Sequence, residues 1–198
     1  MTCNDTAETM KTAVYGGSFN PLHIGHLAIM KNLTEEAGFD KVYLIVSPKN
    51  PLKDNISSAS FKDRFNAAVQ AIERHFSGCS RDKIMVDDIE NHLPEPHYTI
   101  HTLEALCRRE PENSFTLVIG ADNLHDIKRW KEYARILLDW GVAVYPRKGY
   151  DILKIREELL KENPAYSINI IDAPLTNISS SEIRDAVARG NDISEWLM

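Results

Sequence analysis

Residues 12–30 read Thr-Ala-Val-Tyr-Gly-Gly-Ser-Phe-Asn-Pro-Leu-His-Ile-Gly-His-Leu-Ala-Ile-Met, and this stretch decides the fold. Its apolar start predicts a strand over 12–15, and the apolar spacing at its end predicts a helix over 26–37. Glycines in the intervening loop let the backbone approach a ligand closely, and a helix N-terminus offers unpaired N–H groups to an anion. The sequence therefore predicts an anion site between the first strand and the first helix.

The rest of the chain repeats this alternation of strand and helix. Further strands are predicted at 42–46, 84–86, 115–119, 142–145 and 168–171, and further helices at 61–76, 99–109, 151–161 and 181–189. This order is typical of an α/β fold in which a doubly wound parallel sheet carries helices on both faces. We expect a single domain over 12–198 after a short disordered lead at 1–11. Ligands of such sheets bind beyond the carboxyl ends of the strands, which directs attention to the loops 16–25, 47–58 and 172–179.

Composition restricts the class of protein. The 198 residues include 23 Lys and Arg against 29 Asp and Glu, for a net charge of −6. A general nucleic-acid binder needs a surplus of basic residues, so nucleic acid is not expected as a partner. No run approaches the ~20 apolar residues of a membrane span, and we expect no membrane partner. Cys3, Cys79 and Cys107 form no Cys-x-x-Cys pair, which favours a reducing, cytoplasmic location.

The first loop has features suited to a phosphate. His23 and His26 are three residues apart, so a helix starting near Leu22 would project both imidazoles from its first turn on the same side. Gly16 and Gly17 are expected to allow positive φ angles. Neither the dinucleotide fingerprint nor a P-loop is present. A simple turn with two surface histidines is the structural alternative.

A second candidate motif, Ile-Ser-Ser-Ser-Glu-Ile-Arg, occupies residues 178–184 at the start of the last predicted helix. Ser179 and Glu182 fit a capping box, which would explain the motif by structure alone. In the functional interpretation, Ser180, Ser181 and the first-turn N–H groups donate to phosphate oxygens, and Arg184 supplies a planar cation.

Weaker signals follow the other strands. Lys49 and Lys53 lie in a loop stiffened by two prolines, which could equally be a solvated loop. Arg64 would face the same end of the sheet only if its helix starts near Ser60.

The third predicted helix begins with a group of polar and aromatic residues for which helix capping is the alternative, namely Tyr98, Thr99, His101 and Thr102. Gly120 and Asp122 end a strand and suit a ribose, whereas Trp130 by itself would be a core or rim aromatic.

Together these motifs resemble the nucleotidyltransferase superfamily with its His-x-Gly-His signature, and most closely the bacterial nicotinate-nucleotide adenylyltransferases, over nearly the whole chain. The resemblance implies a Rossmann-like fold and catalytic roles for His26, His23, Lys53 and Arg184. It implies ATP-binding roles for Gly16, Gly17, Ser18, Phe19, Gly120, Asp122, Ile178, Ser180 and Ser181. It implies nicotinate mononucleotide-binding roles for Asn20, Tyr98, Thr99, Thr102 and Trp130. Leu52 and His101 depart from the family pattern, which has His and Asp there.

The activity implied by the resemblance is transfer of AMP from ATP to nicotinate mononucleotide, giving nicotinate adenine dinucleotide and pyrophosphate, a step of NAD biosynthesis. ATP would be the co-substrate and would carry Mg²⁺, with no resident metal in the protein. Transfer to nicotinamide mononucleotide or to phosphopantetheine is the alternative within the class. A noncatalytic nucleotide-sensing domain and an RNA-binding module are alternatives from other classes.

Overall fold

The computed structural model describes residues 9–48, 59–173 and 178–197. Six strands form one sheet in the order β3-β2-β1-β4-β5-β6, and every neighbouring pair is parallel. The strands are β1 (Met10–Gly17), β2 (Lys41–Val46), β3 (Ile84–Asp87), β4 (Asn113–Gly120), β5 (Val142–Tyr145) and β6 (Ile168–Ile170). All six predicted strands are present, so the predicted parallel α/β sheet is confirmed.

The strand order reverses between β1 and β4. The chain runs outward from β1 through β2 to β3, then returns to the other side of β1 and continues through β5 to β6. Side chains and loops at the carboxyl ends of β1 and β4 therefore flank a crevice, the place where doubly wound sheets bind ligands.

The helices include the five that the sequence predicts. They are α1 (Ile24–Glu35), α2 (Phe61–His75), α3 (Gly78–Lys83), α4 (Thr99–Arg109), α5 (Ala121–His125), α6 (Tyr133–Arg135), α7 (Ile152–Glu162) and α8 (Ser180–Ala188). Three short helices were not predicted from the sequence: α3, α5 and α6, which have six, five and three residues. Helices this short hold little periodicity, and packing rather than pattern forms them.

Apolar side chains fill a separate core on each face of the sheet. Alternation along β1 sends Val14 to one core and Ala13 and Tyr15 to the other. Leu103 of α4 and Leu159 of α7 pack in the first core. The second core contains buried residues from α1 and α2, namely Ile29, Met30, Leu33, Ala68, Ala71 and Ile72. The helices thus cover both faces, as predicted.

The first strand begins earlier than the sequence indicated. Met10 and Lys11, assigned to the lead at 1–11, pair in register with Asn113 and Ser114 of β4. The apolar run of 12–15 is the buried part of this strand, and its exposed first residues gave no signal. Residues 1–8 of the expected lead lie outside the described residues. Within the described ranges, no helix has the length and apolar character needed to cross a membrane.

Candidate active site

The two glycines of the first loop belong to the end of β1. Gly16 and Gly17 pair with Ile45 and Val46 of β2, and neither has a positive φ. The expectation that they adopt positive φ is therefore wrong: strand pairing keeps them extended, and the left-handed residue is Phe19, with φ of 43°. A Cβ on Gly17 would come within 3.0 Å of the Phe19 ring, whereas one on Gly16 would meet nothing within 4 Å. Gly17 makes room for Phe19, and Gly16 leaves the strand end open to a ligand.

The His23 and His26 rings pack against each other at the start of α1, with their planes tilted by 34°. His23 is the N-cap residue, and its Nδ1 accepts a hydrogen bond from the Gly25 amide at 3.2 Å. His26 Nδ1 accepts from the His23 amide, also at 3.2 Å. The ring centroids are 3.7 Å apart. The two rings lie on the same side, as expected for a helix starting near Leu22; the helix begins at Ile24, between Leu22 and the predicted bound at His26.

Both imidazoles are held neutral. The side chains are 1% and 8% exposed. Burial, aided by the positive charge of Arg147, lowers the pKa of His23 to about 4. Burial, His23 and Arg147 together lower the pKa of His26 well below its usual range. Because each Nδ1 accepts a backbone hydrogen bond, the remaining proton lies on Nε2. His23 Nε2 is buried and has no hydrogen-bond partner among the described residues.

Arg147 is a site residue that sequence reasoning missed. It follows β5 by two residues and lies beside β4 because those strands pair. Its Nε is 3.8 Å from Oδ1 of Asp122, and its Nη2 donates to the Tyr145 hydroxyl at 3.4 Å. A Cβ on Gly120 would lie 2.3 Å from that same Asp122 oxygen, so the glycine is required for this carboxylate position. The signal in the sequence was an arginine two residues after a buried strand.

The capping box predicted at the last helix is confirmed. Ser179 is the N-cap of α8, and its Oγ accepts from the Glu182 amide at 3.2 Å. In return, the Ser179 amide donates to Glu182 Oε2 at 2.8 Å. The half-buried Ile178 directly precedes the cap. The cap fixes where the helix starts and hence where its free N–H groups point.

The same helix is bonded to the first loop. Ser180 Oγ donates to the Pro21 carbonyl at 3.0 Å, and Arg184 Nη1 donates to the Asn20 carbonyl at 2.7 Å. Arg184 Nη2 also donates to Ser181 Oγ at 2.9 Å. Two motifs that are about 160 residues apart in sequence are thereby in direct contact.

The residues expected to border the acceptor nucleotide fall into two groups. Tyr98 and Trp130 are both half-buried and pack against the first core. Lys131 connects their segments, with its Nζ 5.0 Å over the Tyr98 ring and 3.2 Å from His101 Nε2. Thr99, half-buried, begins α4 directly after Tyr98. This group offers aromatic surface beside a cation.

Thr102 is placed differently from the expectation. It is 2% exposed, and its hydroxyl donates to Oε1 of Glu90 at 2.9 Å. Glu90 is itself buried, and burial raises the pKa of its carboxyl, against hydrogen bonds from Ser47 and Thr102 that lower it. Thr102 therefore holds a buried carboxyl in this structure and does not present its hydroxyl at the surface of the site.

Part of the predicted loop after β2 lies outside the described residues, namely Lys49, Leu52 and Lys53. Arg64 was expected to face the same end of the sheet only if its helix starts near Ser60. This condition is met, because α2 begins at Phe61 with Ser60 as its N-cap, and Arg64 donates to the Ser18 carbonyl in the first loop.

In the described ranges there is no group of three His, Cys, Asp or Glu side chains able to hold a metal ion.

The comparisons with known proteins agree with this geometry. The model of the cytidylyltransferase-like family matches residues 14–186, and the chain therefore belongs to that family of nucleotidyltransferases. A relative from Bacteroides fragilis is 40% identical over 187 residues, covering 94% of this chain and 87% of its own length. One from Porphyromonas gingivalis is 38% identical over 188 residues, covering 95% and 89%. Both carry the name probable nicotinate-nucleotide adenylyltransferase, and within the family the chain groups with these adenylyltransferases.

Solved structures support the fold independently. Nicotinic acid mononucleotide adenylyltransferase from Plasmodium falciparum, complexed with NaAD, superposes with a TM-score of 0.78. The same enzyme complexed with APC superposes with a TM-score of 0.76. Each is 24% identical to this chain and covers 95% of it and 90% of its own length.

Proposed function

We propose that the site transfers the adenylyl group of ATP to the 5′-phosphate of nicotinate mononucleotide. An oxygen of that phosphate attacks the α-phosphorus, a new phosphorus–oxygen bond forms, and the bond to the β-phosphate oxygen breaks. Pyrophosphate leaves with the bonding electron pair, and nicotinate adenine dinucleotide remains. The acceptor is already an anion, so the reaction needs no protein nucleophile and no strong base. Alignment and charge stabilisation are the protein's contribution.

One observation carries this proposal: the start of α8 is bonded to the loop before α1 through Ser180 and Arg184. The two helix N-termini belong to the same wall of the site, and each carries a partial positive charge. A triphosphate has enough charge and length to contact both. The family resemblance assigns the phosphates to these same two motifs.

Because their imidazoles are neutral, His23 and His26 act as hydrogen-bond donors rather than as positive charges. With Nδ1 occupied by backbone N–H groups, each neutral ring carries its proton on Nε2 and can donate it in a hydrogen bond to a phosphate oxygen. Such a donor stabilises charge that develops as pyrophosphate departs. Arg147 and Arg184 supply the fixed positive charge of the described site. Lys53 stays a prediction from the resemblance.

The acceptor side is assigned to Trp130, Tyr98 and Thr99. An indole face stacks well on a flat pyridine ring, and phosphopantetheine has no such ring. Asn20 stays a predicted contact of the acceptor, and Asp122 with Gly120 a predicted contact of the adenosine ribose. Lys131 adds a cation near the aromatic pair, which favours a ring that carries a carboxylate over one that carries an amide.

ATP is the co-substrate of an adenylyltransferase, and we expect Mg²⁺ to arrive bound to its phosphates and water rather than to a protein cage. None of the steps above depends on a residue holding that ion. The cytoplasmic location and the absence of nucleic-acid and membrane partners stay predictions from composition.

The test is pyrophosphate release from ATP with three acceptors supplied side by side: nicotinate mononucleotide, nicotinamide mononucleotide and phosphopantetheine. We expect the highest kcat/KM with the first. His26→Ala serves as the matched control, with an expected fall in kcat of about 10²-fold or more, in the range for loss of one electrostatic donor. A preference for phosphopantetheine would refute the acceptor assignment, and ATP binding without turnover would indicate a nucleotide sensor.

A further inference from the structure

Arg64 is a buried cation whose hydrogen bonds go to backbone carbonyls. Its side chain lies on the first turn of α2 and the residue is 5% exposed. Nη1 donates to the Ser18 carbonyl at 2.7 Å and to the Ser47 carbonyl at 2.8 Å, and Nη2 donates to the Pro48 carbonyl at 3.1 Å. Among the described residues no carboxylate forms an ion pair with it.

The three carbonyls belong to two different loop stems, meaning the first residues after β1 and the first residues after β2. Ser18 follows β1 and is the first residue of the loop 18–23 between β1 and α1, called the phosphate loop below. Ser47 and Pro48 follow β2. The stems are also joined directly, because the Ser47 amide donates to the Gly17 carbonyl at 2.9 Å. A guanidinium can hold several acceptors in one plane, so Arg64 fixes the distance and the angle between the stems.

Local sequence explains how the guanidinium reaches this place. Ser60 caps α2 and accepts from the Asp63 amide at 3.1 Å, which sets the first residue of the helix. Arg64 is then in the first turn, directed at the carboxyl ends of β1 and β2. Its carbon is 5.8 Å from the Phe61 ring centroid, so that ring covers one side of the cation.

If Arg64 only stabilised the fold, the use of a charged side chain at this buried position would be unexplained. A fully buried charge costs several kcal/mol to remove from water, and an apolar side chain would pack the same space at no such cost. The carbonyls it binds include that of Ser18, whose neighbour Phe19 has the strained φ of 43° and packs at 5.1 Å from the His26 ring centroid. The guanidinium thus holds the loop whose shape positions His26.

We propose that Arg64 is a positioning residue for ATP: it fixes the phosphate loop after β1 against the stem after β2 through three carbonyls and does not touch the substrate. This inference rests on the proposed adenylyl transfer. Loss of the guanidinium lets the phosphate loop shift relative to α8, and a shift of about 1 Å at a reacting centre costs up to 10²-fold in rate.

The experiment compares Arg64→Met, Arg64→Lys and Arg156→Met in steady-state kinetics and thermal unfolding. Arg156 is the control for loss of an arginine far from the site: it is exposed, and its Nε donates to the Ile168 carbonyl at 2.9 Å at the far edge of the sheet. We expect Arg64→Met to lose about 10- to 100-fold in kcat/KM for ATP, with KM for nicotinate mononucleotide within about twofold of wild type. Arg64→Lys should recover part of the loss, because an ammonium reaches fewer of the three carbonyls. Arg156→Met should lower the melting temperature without changing ATP kinetics.

The outcomes separate the proposals. If Arg64→Met does not fold, Arg64→Lys carries the test, and ATP parameters equal to wild type in a folded variant overturn the positioning role. Equal rises in KM for both substrates, or losses that Arg156→Met reproduces, also overturn it, because they indicate general destabilisation. If wild type shows no turnover with any acceptor, the proposed function fails. Calorimetric binding of a nonhydrolysable ATP analogue then tests Arg64 alone: a Kd at least tenfold weaker in the variant is expected, and an unchanged Kd overturns the role.

Discussion

The buried histidine pair predicts a specific loss of stability in acid. His23 has a folded-state pKa of about 4 against an ordinary value of 6.5, and burial lowers the pKa of His26 in the same direction. Protons therefore bind the unfolded chain more readily than the folded one. The free energy of unfolding is unaffected above pH 6.5 and decreases as the pH falls from there toward 4.

The size of the loss follows from the pKa shift. With those two pKa values, lowering the pH from 7 to 5 costs about 2 kcal/mol for His23, and His26 adds a loss of the same sign. We expect urea unfolding curves of wild type to shift accordingly. His23→Asn is the informative variant, because asparagine is a good N-cap and can accept from the Gly25 amide without titrating. Its loss between pH 7 and 5 should be smaller than that of wild type by about 2 kcal/mol.

Comparison of the two proteins removes the contribution of the other titrating groups. Equal pH dependence in wild type and His23→Asn would refute the account of a buried neutral imidazole. A loss of stability at pH 7 that becomes a gain at pH 5 fits the account, because the cost of the changed cap is the same at both pH values and only the titration depends on pH.

Three further predictions concern the substrates. Trp130→Ala should weaken nicotinate mononucleotide binding by about 1 to 3 kcal/mol in titration calorimetry, and Trp130→Phe should restore most of it, with ATP binding little changed. Equal weakening of both substrates would show that Trp130 is only a packing residue. Arg184→Ala leaves the capping box of α8 intact, so it should raise KM for ATP or lower kcat while the melting temperature changes little; full activity would reduce the motif to a cap. Lys131→Met should lower the preference for nicotinate over nicotinamide mononucleotide by about fivefold, because such a charge pair contributes roughly 1 kcal/mol. An unchanged ratio of the two kcat/KM values would show that Lys131 does not contribute to selectivity.

The strands of the fold could be predicted because each contains a short β-branched or apolar run, and the runs of the central strands are buried in a parallel sheet. Helix bounds were less accurate where an unusual residue acts as the cap. Histidine is not a common N-cap, so the sequence placed the start of α1 at His26, whereas the Nδ1 of His23 starts it at Ile24. Serine at position 179 is a common cap, and the start predicted for α8, Ser181, differs by one residue.

The site could be predicted where a motif is contiguous and not where the topology creates it. His23, His26 and the serines of α8 were found because they lie within short strings. Arg147 approaches Asp122 only because β4 and β5 pair, and no local pattern contains that information. Thr102 shows the opposite failure, because a hydroxyl one turn into a helix can face inward, and the sequence cannot tell that Glu90 receives it.

The central claim is direct transfer of an adenylyl group between two substrates held in this site. It is tested most directly by incubating the protein with nicotinate mononucleotide and ATP labelled at the α-phosphorus, quenching in acid, and locating the label. The account predicts that the label is recovered in nicotinate adenine dinucleotide, in amounts equal to the pyrophosphate released, with none bound to protein. Label on the polypeptide, or release of labelled AMP without dinucleotide, would contradict it.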